Sequence, residues 1–371
     1  MIKDFKYLSA LDGLRGVSII QVLLFHLNIY HGGTFMIQGF MVQSGYLITV
    51  ILLKNKERST SKKECLKVFH SNRLLRILPL YFLYIFTCCL LYLFMGKYDG
   101  LGTKLLYLFS FNYNNYRMTD AWSHDPTFTH LWTISMDMHF YLLWPFVVLF
   151  LDKKWVVSIV LCLVICGPLI RFGMGELLPS IGMSKFSTGN SIYTFTFSHF
   201  DAFVLGSLIP YVNWDKYLKT HFIPFVATIS MLFAGGLLNY YLSKGELNNG
   251  FWRVLGYPFS GVKNLQHVWN YSLANLFFMT LIIIISSDLK SRTKTVLKLI
   301  LELKPFSFLG RYTYGIYIFH GVLITISQQL GFFKDKPFSF IFVFGFSILL
   351  SMLSFHYYEA WFLKKKRKLG S

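Results

Sequence analysis

Ten apolar segments, separated by short polar or basic connections, decide what this chain can fold into. They lie at about 11–30, 34–53, 77–95, 131–151, 155–172, 200–213, 221–243, 268–287, 306–330 and 338–357. About 20 apolar residues match the hydrocarbon thickness of a bilayer, and in lipid only helices or closed barrels satisfy their own backbone. The 371 residues are 54% hydrophobic and 19% aromatic, more apolar surface than a soluble domain of this length needs. The expected fold is all-α: a polytopic integral membrane protein with ten transmembrane helices, a single domain over residues 1–371 with no appended soluble domain. The sixth segment is short for a span. Leu105–Phe111 is shorter still and is expected to be re-entrant or interfacial.

The net charge of +19 would suggest nucleic acid in a soluble protein. Here the basic residues cluster between apolar segments, which is a topology signal and points to a lipid bilayer instead. With the N-terminus inside, the inner connections hold 24 Lys and Arg, the outer ones 10, counting Arg171 among the outer. Both ends are therefore expected in the cytoplasm, with the longer connections Gly96–His130, Gly173–His199 and Lys244–His267 outside. The first apolar segment has no small-residue cleavage site and is expected to stay inserted. The five cysteines form no CxxC pair, and no HxxxH or HExxH appears on any span, so neither a disulfide framework nor a metal site is expected.

The stretch Leu11–Ser44, LDGLRGVSIIQVLLFHLNIYHGGTFMIQGFMVQS, carries ionisable groups into this apolar setting. Such groups are costly in a membrane and each is a functional hypothesis by default. Asp12, Arg15 and His26 fall near one helical face, and His26 lies about 16 Å further along the axis than Arg15. Position alone leaves His26 evenly divided between an interhelical packing histidine and a proton acceptor. Asp12 and Arg15 read equally as a topology anchor.

The chain resembles the acyltransferase 3 family, membrane-embedded enzymes that O-acylate surface polysaccharides and other sugars. The resemblance rests on LDGLRG…FH, GGTFMIQGFMVQSGYLIT, FHSNRLLRILPLY (Phe69–Tyr81), HLWTISMDMHFYLLWP (His130–Pro145), FDAFVLGSLI (Phe200–Ile209), FLGRYTYGIYIFH (Phe308–His320) and HYYEAWF (His356–Phe362), in the family's order. It implies a bacterial cytoplasmic-membrane O-acyltransferase with no bound cofactor. Its donor would be cytoplasmic acetyl-CoA or another acyl-CoA. Its acceptor would be a polysaccharide or lipid-linked glycan such as O-antigen, capsule or exopolysaccharide. His26 is then expected to act as general base or transient acyl carrier, with Asp12 and Asp137 also catalytic.

By the same resemblance Arg15, Arg73 and Arg76 bind the donor; the Arg pair in RLLR suits phosphate through paired hydrogen bonds. His130, Trp132, Ser44 and His320 are expected on the acceptor side or around the cavity. The family stretch reads H-x-W-S-L-x-x-E-x-x-F-Y, and this chain has Thr133, Ile134 and Asp137 where Ser, Leu and Glu are usual. Asp keeps the charge but is one methylene shorter. Ala360 replaces a usual Pro after Glu359. For His320, Glu359 and Asp201, a structural role at helix contacts weighs at least as much as chemistry. A polar channel lined by Asp12, Arg15, His26, Asp137 and His320 would let a cytoplasmic donor meet an outer acceptor.

Two other readings differ in class. Intramembrane His and Asp also serve proton coupling in a transporter of glycans or small metabolites. Against it stands the lack of an inverted repeat, which many transporter folds show. A sensor or scaffold without activity is the third.

Overall fold

Each apolar run folds as a helix because the i→i−4 ladder satisfies its backbone without water. The structure, a computed structural model, describes residues 7–30, 32–96, 99–242, 255, 257 and 262–366, and no strand occurs among them. The main helices are α1 (Ser9–His26), α2 (Gly33–Arg58), α3 (Lys62–Phe94), α4 (Leu101–Phe109), α5 (Trp132–Phe150), α6 (Lys153–Ser180), α7 (Phe200–Leu208), α8 (Phe222–Leu242), α9 (Gln266–Ser286), α10 (Lys304–Gln329) and α11 (Lys336–Leu353). Each predicted segment falls on one of these, and the Leu105–Phe111 piece on α4. Of the expected outer connections, residues 97–98, 244–254, 256 and 258–261 lie outside the described residues, as does residue 243 at the end of the seventh segment.

Among the described residues, seven helices are long and apolar enough to cross a membrane: α2, α3, α5 with its preceding turn, α6, α8, α9 and the stretch from α11 to Leu363. The predicted ten included α1, α7 and α10, which do not meet that measure. Asp12, Arg15, Gly13 and Gly16 lower the hydropathy of α1. Arg311, His320 and Gln328 do the same for α10. Helix α7 has nine residues and is buried from Phe200 through Ser207, so protein rather than lipid surrounds it.

Two boundaries differ from expectation for local reasons. Helix α3 starts at Lys62 rather than 77, because Ser61 caps it: its Oγ accepts from the Glu64 amide at 3.3 Å, while Ser59 Oγ donates to Glu64 Oε2 at 2.7 Å. Helix α6 continues past 172 to Ser180 and places Arg171 inside the helix, not in an outer connection. That removes one charge from the outer set and sharpens the inside bias.

The chain forms two compact units, one of residues 1–51 with 151–310 and one of 52–150 with 311–371. In the first, α7 packs on α6 and α9, and α8 on α9. Helix α2 crosses α7 so closely that a Cβ on Gly45 would strike the Phe203 carbonyl, and one on Gly206 the Val42 carbonyl. Helix α6 leaves Leu161, Ile165 and Leu169 exposed, and α8 leaves Ile223, Ile229 and Phe233 exposed, a surface suited to acyl chains. In the second unit α3 packs on α5 and on a turn of π-helix, Ser354–Glu359, that follows α11.

The α2–α7 crossing gives a stability prediction. Gly206→Val must push two backbones apart and is expected to cost at least about 1–3 kcal/mol. Gly345→Ala, where nothing lies within 4 Å, is expected to be neutral or slightly stabilising. Thermal unfolding midpoints of the two purified variants in one detergent check this.

Candidate functional site

The first unit holds Asp12, Arg15, His26 and Ser44. Helix α1 buries Leu11, Gly13, Leu14, Gly16, Ile19, Val22 and Leu23, and leaves Asp12, Arg15 and His26 half-buried on the other side. The predicted shared face is thus present. The glycines of LDGLRG explain the depth of packing: a Cβ on Gly13 would collide with the Leu301 carbonyl. Arg15 Nη1 lies 3.6 Å from Asp12 Oδ1, and the Tyr7 hydroxyl donates to Asp12 Oδ2. Asp12 therefore orients Arg15. Gln43 Nε2 donates to the Leu11 carbonyl at 2.7 Å and fixes α2 beside α1.

His26 differs from expectation in one respect. The helix was expected to run on to residue 30, yet His26 is its last residue. Asn28 takes a φ of 56°, a left-handed conformation that Asn tolerates better than most residues. The chain turns directly after His26, so the imidazole sits at the carbonyl end of the helix. Ser44 is half-buried on α2, next to Gly45 and the α7 crossing.

A second polar group in this unit lies around Arg171, which is fully buried. Its Nη2 pairs with Asp201 Oδ2 at 2.9 Å and donates to Ser272 Oγ at 2.8 Å and the Val268 carbonyl at 3.1 Å; Nη1 donates to the Ser198 carbonyl. Close by in sequence, His199 is equally buried. Gln38 Nε2 donates to His199 Nδ1 at 2.9 Å, and His199 Nε2 donates to the Tyr193 carbonyl at 2.9 Å. Both ring nitrogens of His199 are thereby assigned, which gives a neutral ring with one tautomer.

The second unit holds Arg73, Arg76, His130, Trp132, Asp137 and His320. Arg73 lies over the rings of Phe69 at 5.8 Å and Tyr141 at 5.6 Å, contacts that steady a guanidinium without neutralising it. Arg76 lines a cleft with Arg311, Tyr312, Ser351 and Glu359. Ser354 Oγ donates to Glu359 Oε1 at 3.0 Å, and the Tyr314 hydroxyl to the Ile77 carbonyl at 2.7 Å. Beyond the last helix, partial desolvation and the guanidinium groups of Arg76 and Arg73 push the Lys366 ammonium down to about 8. Like charges gathered this closely repel, and an anion relieves them.

Away from these arginines, His130 and His320 come together with ring centroids 4.5 Å apart. Gly321 permits this, because a Cβ there would meet the His130 ring. His130 Nε2 donates to the Ile318 carbonyl at 3.1 Å, and His320 Nδ1 to the Tyr317 carbonyl at 2.6 Å. The Tyr317 hydroxyl donates to the His130 carbonyl and lies 2.7 Å from Thr133 Oγ1. The hydroxyl of Thr133, where the family usually has Ser, is therefore in use. Trp132 is buried, with the Arg117 guanidinium 5.5 Å from its ring. Asp137 is half-buried one turn further along α5, within electrostatic reach of Tyr317.

Sequence reading thus found two groups that fold together: Asp12 with Arg15, and His130 with His320. It missed Arg171, whose signal was present, since GPLIRFG sets a lone Arg in an apolar run. It missed Lys366, which is hidden in a basic tail, and the buried Lys104–Asp125 pair at 2.8 Å, whose partners lie in different segments. All five cysteines are free thiols.

A family profile described as an acyltransferase domain matches residues 8–356, a range that contains every predicted site residue. The chain is 25% identical to O-acetyltransferase OatA of Staphylococcus aureus (strain NCTC 8325 / PS 47), over 95% of this chain and 57% of that protein. It is 26% identical to peptidoglycan O-acetyltransferase OatA of Listeria monocytogenes serovar 1/2a (strain ATCC BAA-679 / EGD-e), over 88% of this chain and 50% of that protein. The chain therefore spans little more than half the length of these relatives. No solved structure matches it.

Proposed function

The chain belongs to the acyltransferase 3 family, and from that premise we propose that it is an O-acetyltransferase of the bacterial cytoplasmic membrane. It transfers acetyl from cytoplasmic acetyl-CoA to a hydroxyl of a cell-envelope glycan. The observation that carries this reading is the match over residues 8–356, which spans helices from both units. Both relatives are named O-acetyltransferases, and the Listeria name specifies peptidoglycan. That favours a peptidoglycan-type acceptor over the O-antigen, capsule or exopolysaccharide of the sequence reading.

In the reaction, the sugar hydroxyl oxygen attacks the thioester carbonyl carbon as His26 takes the hydroxyl proton. The C–S bond breaks, the ester forms, and the imidazolium returns its proton to the departing thiolate. Positive charge gained by His26 develops at the negative end of the α1 dipole, which favours it. Asp12 holds Arg15. Arg73 and Arg76, with Lys366 beside them, bind the phosphates of the donor.

The donor assignment predicts a split in the kinetics. Arg76→Gln is expected to raise KM for acetyl-CoA about 10- to 100-fold with kcat little changed, since a hydrogen bond to a charged group contributes about 1.5–3 kcal/mol. Arg76→Lys keeps the charge but loses the planar fork and is expected to fall in between. Initial rates with reconstituted protein and labelled acetyl-CoA measure this, and an unchanged KM in both variants removes Arg76 from the donor site.

A further inference from the structure

In the second unit a cleft of about 400 Å³ opens where the C-terminal end of α3 (Tyr92), the C-terminal end of α10 (Thr325, Gln328) and the connection Ser123–Pro126 meet. Arg76 lies about 24 Å away along the α3 axis. The positive-inside bias puts that arginine end in the cytoplasm and the cleft at the outer face.

The floor of the cleft is fixed and electrically balanced. Lys104 Nζ meets Asp125 Oδ2 at 2.8 Å, and the Tyr92 hydroxyl donates to Asp125 Oδ1 at 2.7 Å. The Thr127 amide also donates to Asp125 Oδ1, at 3.1 Å. Below, Thr127 Oγ1 lies 2.8 Å from Thr325 Oγ1. A buried ion pair with its oxygens filled costs desolvation and adds little stability, so a shaped polar surface is the more telling product.

The rim is different. Among the described residues, the side chains of Ser123, His124, Gln328 and Gln329 make no hydrogen bond to the protein, and all four line or border the opening. They offer hydroxyl, imidazole and amide groups, each both donor and acceptor. Partial desolvation and Arg117 hold the His124 imidazole below its usual range, which keeps the ring neutral at pH 7. The further charged group on the rim, Asp99, is negative and repels polyanions. The volume falls in the range of small-molecule sites, but the lining lacks the apolar walls that acyl chains or aromatic ligands require.

We propose that this cleft is the acceptor subsite, binding one or two uncharged sugar units of a glycan through Ser123, His124 and Gln328. A sugar ring presents neutral hydroxyl and acetamido groups in several directions, which is what the rim matches. Acetyl-CoA, a polyanion, is excluded. The assignment rests on the proposed O-acetyltransferase reading only for the word acceptor; the binding of sugar stands apart from it.

The test uses the full chain in lipid nanodiscs, with chitotetraose as the sugar probe and acetyl-CoA as control, both titrated calorimetrically. Ser123→Trp fills the opening, and the double variant His124→Ala/Gln328→Ala strips its rim. All three positions are exposed, and the double variant gives up the edge-on contact of the His124 and Trp122 rings, 6.3 Å between centroids. Both variants are expected to weaken chitotetraose binding about tenfold or more, the loss of one or two hydrogen bonds, and to leave acetyl-CoA binding unchanged. Unchanged sugar binding in both variants overturns the proposal, as does no binding to the wild type at millimolar sugar. If the sugar binds and the variants weaken it but no acetyl is ever transferred, the cleft stands and the enzyme reading falls. If transfer proceeds in Ser123→Trp with the wild-type acceptor KM, the enzyme reading stands and the cleft is not its acceptor site.

Discussion

Replacing His26 by alanine is expected to lower acetyl transfer about 10²- to 10⁴-fold, the usual contribution of a positioned general base. Insertion and donor binding should survive, because the α1 core face is built from Leu11, Leu14, Ile19, Val22 and Leu23, while His26 is half-buried at the helix end. His26→Gln keeps hydrogen-bonding capacity without basicity and should be as inactive as alanine. Activity of His26→Gln near the wild type would make this histidine an orienting group instead. Rates in proteoliposomes at matched protein content, with acetyl-CoA affinity measured in parallel, separate lost chemistry from lost folding.

The second large effect is on stability. Arg171→Met removes a guanidinium that holds Asp201, Ser198, Val268 and Ser272 together, and it leaves the Asp201 carboxylate buried without its cation. Breaking one side of such a pair costs about 3–5 kcal/mol. The double variant Arg171→Met/Asp201→Asn leaves no lone charge and is expected to recover a substantial part of that loss. Unfolding midpoints in detergent compare the three proteins. If the double variant is no more stable than the single one, the pair is not what Arg171 supplies. Both residues sit where α6 meets α7, so the pair bears on how α7 is held and not on His26 directly.

Much of the fold could be read from the chain because bilayer thickness imposes a single length scale. Each apolar run had to become a helix, and each did. What hydropathy does not report is where a helix continues beyond the apolar slab. The polar first turns of α3, capped by Ser61, and the extension of α6 to Ser180 are helical for local reasons that a hydropathy window averages away. Hydropathy also does not separate a lipid-facing span from a helix covered by protein: α7 is apolar and buried, and its nine residues are too few to cross.

Site residues divide in the same way. Asp12 and Arg15 are one turn apart on one helix, so their pairing follows from 3.6 residues per turn. The contact of His130 with His320 joins distant segments, and only the family motifs singled both out. Arg171 with Asp201 and Lys104 with Asp125 are long-range partnerships, which a single sequence does not encode in any visible spacing. Arg171 lies at the very end of the expected 155–172 segment, where a basic residue counts as an outer charge, and only the extension of α6 to Ser180 places it inside the helix.

The measurement that bears most directly on the central claim is the alkali-labile acetyl content of cell-envelope glycans. Cells lacking the gene are complemented with the wild type or with His26→Ala at equal membrane levels, and peptidoglycan is fractionated from other glycans before saponification. The expected result is that the wild type alone restores ester-linked acetate, and that it does so in the peptidoglycan fraction. Equal restoration by His26→Ala would contradict the role given to that histidine, and an acetyl content that never depends on the gene would contradict the enzyme itself.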